Sequence, residues 1–230
     1  MYAVMNASPI TVVVIAAALL VTPIYALGTY TFSGASKRKG LRIGAAWLVF
    51  GALMFWVCLA DLPRRLGLPG NLIVPIAWVL PSLILYWMRD WFVDRWLCQK
   101  WLIGLQLFRA IGGVFLIEMA RGNIPGIFAY PAGLGDLAVA AIAAVVLIRY
   151  WNAKPFPAGA VYLVIAAGVL DFLSALFFGF GSSETPVQLF VPDVPNNLIV
   201  FPTGLIPLFL VPYAIFFHML SWLSYRKFKK

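Results

Sequence analysis

The chain has 230 residues, 63% of them hydrophobic and 11% charged. Soluble domains carry about 25% charged and about 45–50% apolar residues, so a water-soluble globule is excluded and a bilayer is the solvent that fits. The net charge of +9 does not mark a nucleic-acid binder, because the basic residues stand in short clusters between apolar runs and not on one contiguous surface.

A helix needs about 20 apolar residues to span a bilayer. Seven runs qualify, at 9–32, 41–60, 71–88, 101–120, 131–151, 157–180 and 198–222. The sequence therefore predicts an all-α integral membrane protein, with residues 1–230 forming a single seven-helix transmembrane domain. Trp, Tyr and Phe gather at the ends of the runs, as an interfacial belt requires. No Lys or Arg precedes the first run, which argues for a retained first helix and not a cleaved signal peptide. Lys37, Arg38, Lys39 and Arg42 follow that run instead. Summed over alternate connections, thirteen Lys and Arg fall on one side and three on the other, with Arg109 inside a span. The positive-inside rule then sets the N-terminus outside and the C-terminus inside a multi-pass protein of the plasma (cytoplasmic) membrane. Cys58 and Cys98 fall near opposite faces, which excludes a disulfide between them.

The connection around Trp91 and Trp96 does not gather its apolar residues on one helical face, and reads as an interfacial aromatic anchor. Short matches recur in the chain. Gly44-Ala-Ala-Trp-Leu-Val is echoed by Gly159-Ala-Val-Tyr-Leu-Val, and Asn71-Leu-Ile-Val by Asn197-Leu-Ile-Val. Their order is that of a 3+1+3 parallel repeat with the fourth span as linker, although a composition so rich in Ala, Leu, Val and Ile also yields such matches by chance. This layout resembles that of small sugar-permeating transporters of the SWEET type, as a fold-level likeness without that family's motifs.

The most informative stretch is 101–146. Arg109 lies about 12 residues, or roughly 18 Å, from the outer end of the fourth span. A mid-membrane arginine costs roughly 2.5–3.5 kcal/mol on insertion scales and needs a partner. Gln106 is i,i+3 from Arg109 and shares its face. Glu118 is half a turn out of phase and cannot pair within an intact helix. The partner must come from another span, with Asp171 the best depth match. Asp136, roughly 8 Å from the outer end of the fifth span, ranks second if the arginine extends outward. Such a pair either joins helices or forms a solute site.

The Gly/Pro-rich break 121–136 reads as a tight interhelical turn or a short re-entrant segment. Pro202, Pro207 and Pro212 predict a bent or broken seventh span. His218, placed about 30 Å from the outer end, reads as an interfacial packing residue, with a proton-shuttling role as the sharper alternative. The seventh run contains no Lys, which excludes a retinal Schiff base. One histidine and no C-x-x-C or H-E-x-x-H spacing leave no metal or cofactor to expect.

The function these features favour is a small-molecule transporter or permease. Gln106, Arg109, Asp136 and Asp171 would bind a small polar or anionic molecule in the outer half of the bundle. A membrane-embedded enzyme acting on a lipid or amphiphile, with Glu118, Asp136 and Asp171 as acid/base groups, is the first alternative. A structural or accessory subunit is the second. The lipid bilayer is the one partner read directly, and nucleic acid is not a partner.

Overall fold

The computed structural model describes residues 5–65, 73–95, 97–184 and 188–228. Asn71, Leu72, Trp96, Lys229 and Lys230, which the sequence reading used, lie outside the described residues, as does the side chain of Arg64. The described residues form helices and no strand. Seven helices build the bundle: α1 (Pro9–Phe32), α2 (Lys37–Leu59), α3 (Ile73–Trp87), α4 (Gln99–Ala120), α5 (Gly126–Tyr150), α6 (Ala158–Gly181) and α7 (Ile206–Phe228). Six of them, all but α3, are long and apolar enough to cross a membrane. The protein is thus a multi-pass membrane protein. The fifteen residues of α3 rise only about 22 Å, short of a hydrocarbon core of about 30 Å.

α1 starts where the sequence asks it to. The Ser8 hydroxyl accepts from Ile10 N at 3.2 Å, and Pro9 occupies the first helical position, where its missing N–H costs nothing. The hairpin into α2 turns at Gly34, whose φ of +79° is left-handed backbone that glycine adopts without a side-chain clash. A Cβ on Gly40 or Gly44 would stand 3.0 Å from the carbonyl oxygen of Leu27 or Pro23, so α1 and α2 approach backbone to backbone as small residues in membranes allow.

α7 is the axis of the bundle, with 72% of its most apolar window buried against 28–56% for the other five spanning helices. Its Phe209, Tyr213, Phe216 and Phe217 surround Trp47 of α2, with ring centroids 5.0–6.4 Å apart, mostly in the edge-to-face arrangement that aromatic quadrupoles favour. Outward-facing Val13, Leu20, Val49, Val145, Ile148 and Leu170 are exposed, an apolar belt that lipid and not water would cover.

The two ends of the bundle differ in charge. Tyr30 Oη donates to Phe92 O (2.8 Å), Gln99 Nε2 to Ser221 O (3.1 Å) and Lys227 Nζ to Asp90 Oδ1 (2.8 Å) at one end. Lys37, Lys39, Lys100, Arg149, Lys154 and Arg226 fall on the connections and termini of this end, the basic end. At the opposite end Met5 N donates to Phe201 O (3.0 Å), Asn123 Nδ2 to Asn6 O (3.1 Å) and Asn197 Nδ2 to Asn123 O (3.2 Å). We call this the asparagine end. Cys58 lies toward it, against Ile199 O, whereas Cys98 N bonds Ser33 Oγ at the basic end.

Three expectations are corrected by the helix boundaries. The Gly/Pro-rich break is a turn over 121–125 only, closed by Gly122 at φ +73°, and α5 starts at Gly126 and not near Pro131. The glycines at 133 and 135 serve helix packing, not chain reversal. The seventh helix starts at Ile206 and not near Leu198, because Asn196 and Thr203 bond local backbone, with Leu198 N donating to Asn196 Oδ1 (3.1 Å) and Thr203 Oγ1 to Val200 O (3.0 Å), in competition with helix. Pro202 therefore precedes the helix, and the second Asn-Leu-Ile-Val, 197–200, is turn. Finally, His218 is twelve residues from the start of α7, about 18 Å, so it is central and not interfacial.

Candidate functional site

With the helix ends known, the charges align. Asp136 is ten residues from Gly126, Asp171 is ten from Gly181, and Arg109 is eleven from Ala120, all counted from the asparagine end. Helical side chains lean toward their own N-terminus, so Arg109 leans toward the basic end and not outward. There it meets both aspartates: Nε donates to Asp136 Oδ1 at 2.8 Å and Nη2 to Asp171 Oδ2. The two acids ranked as alternatives in the sequence bind the same guanidinium. Its plane lies over the Phe172 ring, 4.1 Å from the centroid, a cation–π contact.

Two irregular segments build the site. The middle of α4, Leu105–Gly113, is a 3-10 helix. With three residues per turn, Gln106, Arg109 and Gly112 line up, and all three are buried. The start of α7, Ile206–Leu210, is a π-helix. Trp78 Nε1 of α3 donates to Pro207 O at 2.7 Å and satisfies a carbonyl of that widened turn. Non-α segments inside spanning helices often mark functional sites.

Three glycines make room for the charges. A Cβ on Gly112 would overlap the Asp136 carboxylate, and one on Gly135 that of Asp171. A Cβ on Gly168 would overlap His218 Nε2 and stand 3.1 Å from Arg109 Nη1. His218 therefore belongs to the site, its ring 5.8 Å from that of Phe172.

A cavity of about 50 Å³ rises from this cluster. Arg109, Asp136 and Asp171 form its polar floor, Trp78, Phe128 and Phe172 are part of its apolar wall, and Ser183 and Asn196 stand at the asparagine end. A water needs about 10–15 Å³ by the comparable measure, so the space is of the size of a few waters and far below the roughly 300–1,000 Å³ of drug-sized sites. Gln106 sits one 3-10 turn nearer the basic end than Arg109, outside the cavity wall, and neither of its amide atoms has a hydrogen-bond partner among the described residues.

Glu118 is elsewhere. Its Oε1 accepts from Ser8 N (2.9 Å) and Thr11 Oγ1, and its Oε2 from Asn123 Nδ2 (2.7 Å). A carboxylate at the start of α1 satisfies unpaired N–H groups and complements the helix dipole, so Glu118 holds the asparagine end together.

One family model matches residues 70–224 of this chain, described as Domain of unknown function (DUF8737). The chain belongs to the DUF8737 family. The matched region contains α3, α4, α5, α6 and most of α7, and with them Arg109, Asp136, Asp171, His218 and the whole cavity wall. α1 and α2 precede the DUF8737 region. No curated protein matches the chain, and no solved structure does.

The roles of Gly112, Gly135, Gly168 and Trp78 are not marked in the sequence by charge or motif. The signal that could have found the glycines is spacing: Gly112 is three residues from Arg109, Gly135 adjoins Asp136, and Gly168 is three residues from Asp171.

Proposed function

We propose that this DUF8737 protein is a small-molecule transporter of the plasma membrane. In this reading it has seven spans, with α3 as a short one packed along α7, the N-terminus outside and the basic end in the cytoplasm. The solute enters the cavity from the asparagine end and meets Arg109, Asp136 and Asp171 at mid-depth.

The observation that carries this reading is the floor of the cavity. One guanidinium faces two carboxylates, so the cluster holds a formal charge of −1 when all three are ionised. Burying an ion costs several kcal/mol after relaxation, and one arginine compensates one aspartate. The second carboxylate calls for a positive partner. This turns the reading from an anionic solute toward a neutral or cationic polar one. A purely structural ion pair would engage its polar atoms fully, whereas Arg109 Nη1 and Asp171 Oδ1 are buried without partners among the described residues. That favours transport over the accessory-subunit reading. The small cavity volume disfavours an amphiphile-cleaving enzyme.

The test is uptake into proteoliposomes of labelled small solutes, comprising a sugar, an amino acid and an alkylamine. Wild-type protein should move at least one, and Arg109→Gln, shown by gel filtration to remain folded, should not. Equal flux through wild-type, Arg109→Gln and protein-free vesicles for every solute would overturn the reading.

A further inference from the structure

Among the described residues, six buried side-chain nitrogen and oxygen atoms have no hydrogen-bond partner: Arg109 Nη1, Asp171 Oδ1, His218 Nε2, Gln106 Nε2 and Oε1, and Ser224 Oγ. Native structures keep such atoms few because each forfeits the hydrogen bonds it made to water. Here they fall on α4, α6 and α7. Arg109 and Asp171 form the floor of the cavity. His218 packs with Arg109 against Gly168 on the basic-end side of Asp171. Along α7, His218, Ser221 and Ser224 follow at i, i+3 and i+6, all buried, and so lie within one face. Ser221 Oγ donates to Gln99 Oε1 at 2.6 Å. Gln106 lies between Gln99 and Arg109 on α4. Polar groups thus continue from the cavity floor to the basic end, a distance the cavity itself does not cover.

We propose that Asp171 carries one exchangeable proton and that His218, with Gln106, the Gln99–Ser221 pair and Ser224, is the route by which this proton reaches the basic end. The proposal rests on the transport reading above and adds its coupling ion. On the asparagine side a hydronium in the cavity gives a proton to Asp171 Oδ1: an O–H bond forms on the carboxylate, one breaks on the hydronium, and a water remains. The cluster passes from −1 to neutral, with Arg109 held by Asp136. On the other side Asp171 gives the proton to His218 Nε2, and the imidazolium releases it to water beyond Ser224, returning the cluster to −1. The charged groups set around Asp171 are Arg109 from α4 and, across that guanidinium, Asp136 from α5, while His218 of α7 stands one turn along α6, against Gly168. α3 offers Val74 and Trp78, which do not titrate. Intramembrane Asp and His are the groups from which proton relays are built.

Two measurements separate this proposal from the transport reading. The first needs no solute. Infrared difference spectroscopy of the purified protein between acidic and alkaline buffer should show a protonated-carboxyl band that Asp171→Asn removes and Asp90→Asn, on the exposed basic end, leaves in place. The second uses vesicles loaded with a pH-sensitive dye. An imposed pH gradient should speed proton entry at least tenfold over protein-free vesicles, and His218→Phe and Ser224→Ala should each cut that entry severalfold. A carboxyl band unaffected by Asp171→Asn, a band shifted by sodium at fixed pH, or proton entry equal in wild type and both variants would each overturn the proposal. Solute uptake indifferent to the pH gradient would overturn the coupling while leaving transport standing. Absence of all solute uptake would count against the transport reading, with the infrared band still deciding the proton site.

Discussion

Gly135 of α5 and Asp171 of α6 touch so closely that a methyl group on the first would overlap the carboxylate of the second. The aspartate reaches Arg109 because its neighbouring helix carries no side chain at that height. Gly135→Ala should therefore push Asp171 off the guanidinium and destabilise the protein by about 1–3 kcal/mol, as overpacking does. Thermal unfolding in detergent measures the loss, and Gly159→Ala, where a Cβ meets nothing within 4 Å, is the control expected to unfold like wild type.

Arg109 donates to two acids at once, so its removal should cost more than the removal of either. Arg109→Gln leaves buried carboxylates unpaired, a loss of about 3–5 kcal/mol. Combining it with Asp136→Asn and Asp171→Asn should recover most of that loss. Arg109→Lys should not substitute, since one ammonium cannot present the Nε and Nη2 donors in fixed geometry. Urea or thermal denaturation of Arg109→Gln, Arg109→Lys, Asp136→Asn, Asp171→Asn and the triple variant checks the order, and a triple variant as unstable as Arg109→Gln would contradict it.

Glu118 should behave as a structural residue. Glu118→Ala strands the Ser8 N–H, the Thr11 hydroxyl and the Asn123 amide, and a buried unsatisfied group costs about 1–3 kcal/mol. Hydrogen exchange should accelerate at the start of α1 and in the 121–125 turn, while the carboxyl band assigned to Asp171 persists.

Asp90, fully exposed at the basic end, accepts from Lys227 Nζ, and that hydrogen bond and charge hold its carboxyl below the usual carboxylate range. A lowered folded value means that the link is present above the unfolded carboxylate pKa of about 4 and is lost as the pH falls through the folded value. Lys227→Ala should thus change the melting temperature slightly near neutral pH and not at all in strong acid, and high salt should erase the difference. Melting curves across pH and salt test both.

Much of the bundle was legible from apolar run length. The first run, 9–32, coincides with α1, and 157–180 is displaced by one residue from α6. The cost of Arg109 alone required a partner on another helix, and both candidate aspartates meet it. The start of α5 was hidden because Gly133 and Gly135 have the same composition whether they break a helix or let two helices touch. The depth of His218 is not legible from the apolar run at 198–222, since nothing in that run marks Asn196 and Thr203 as binding the backbone of a turn. The 3-10 stretch of α4 and the π turn of α7 arise from packing against α5 and from the Trp78 bond to Pro207, contacts distant in sequence.

The overwound middle of α4 also sets the length of that helix. Its nine residues rise about 2.0 Å each as 3-10 helix and about 1.5 Å each as α-helix. Rewinding them shortens α4 by roughly 4–5 Å and changes the rotation between successive residues from about 120° to about 100°. Gln106, Arg109 and Gly112 then no longer stand in one row but fan around the helix. The single row, and with it the presentation of one guanidinium to both carboxylates, thus belongs to the 3-10 winding and not to α-helical spacing.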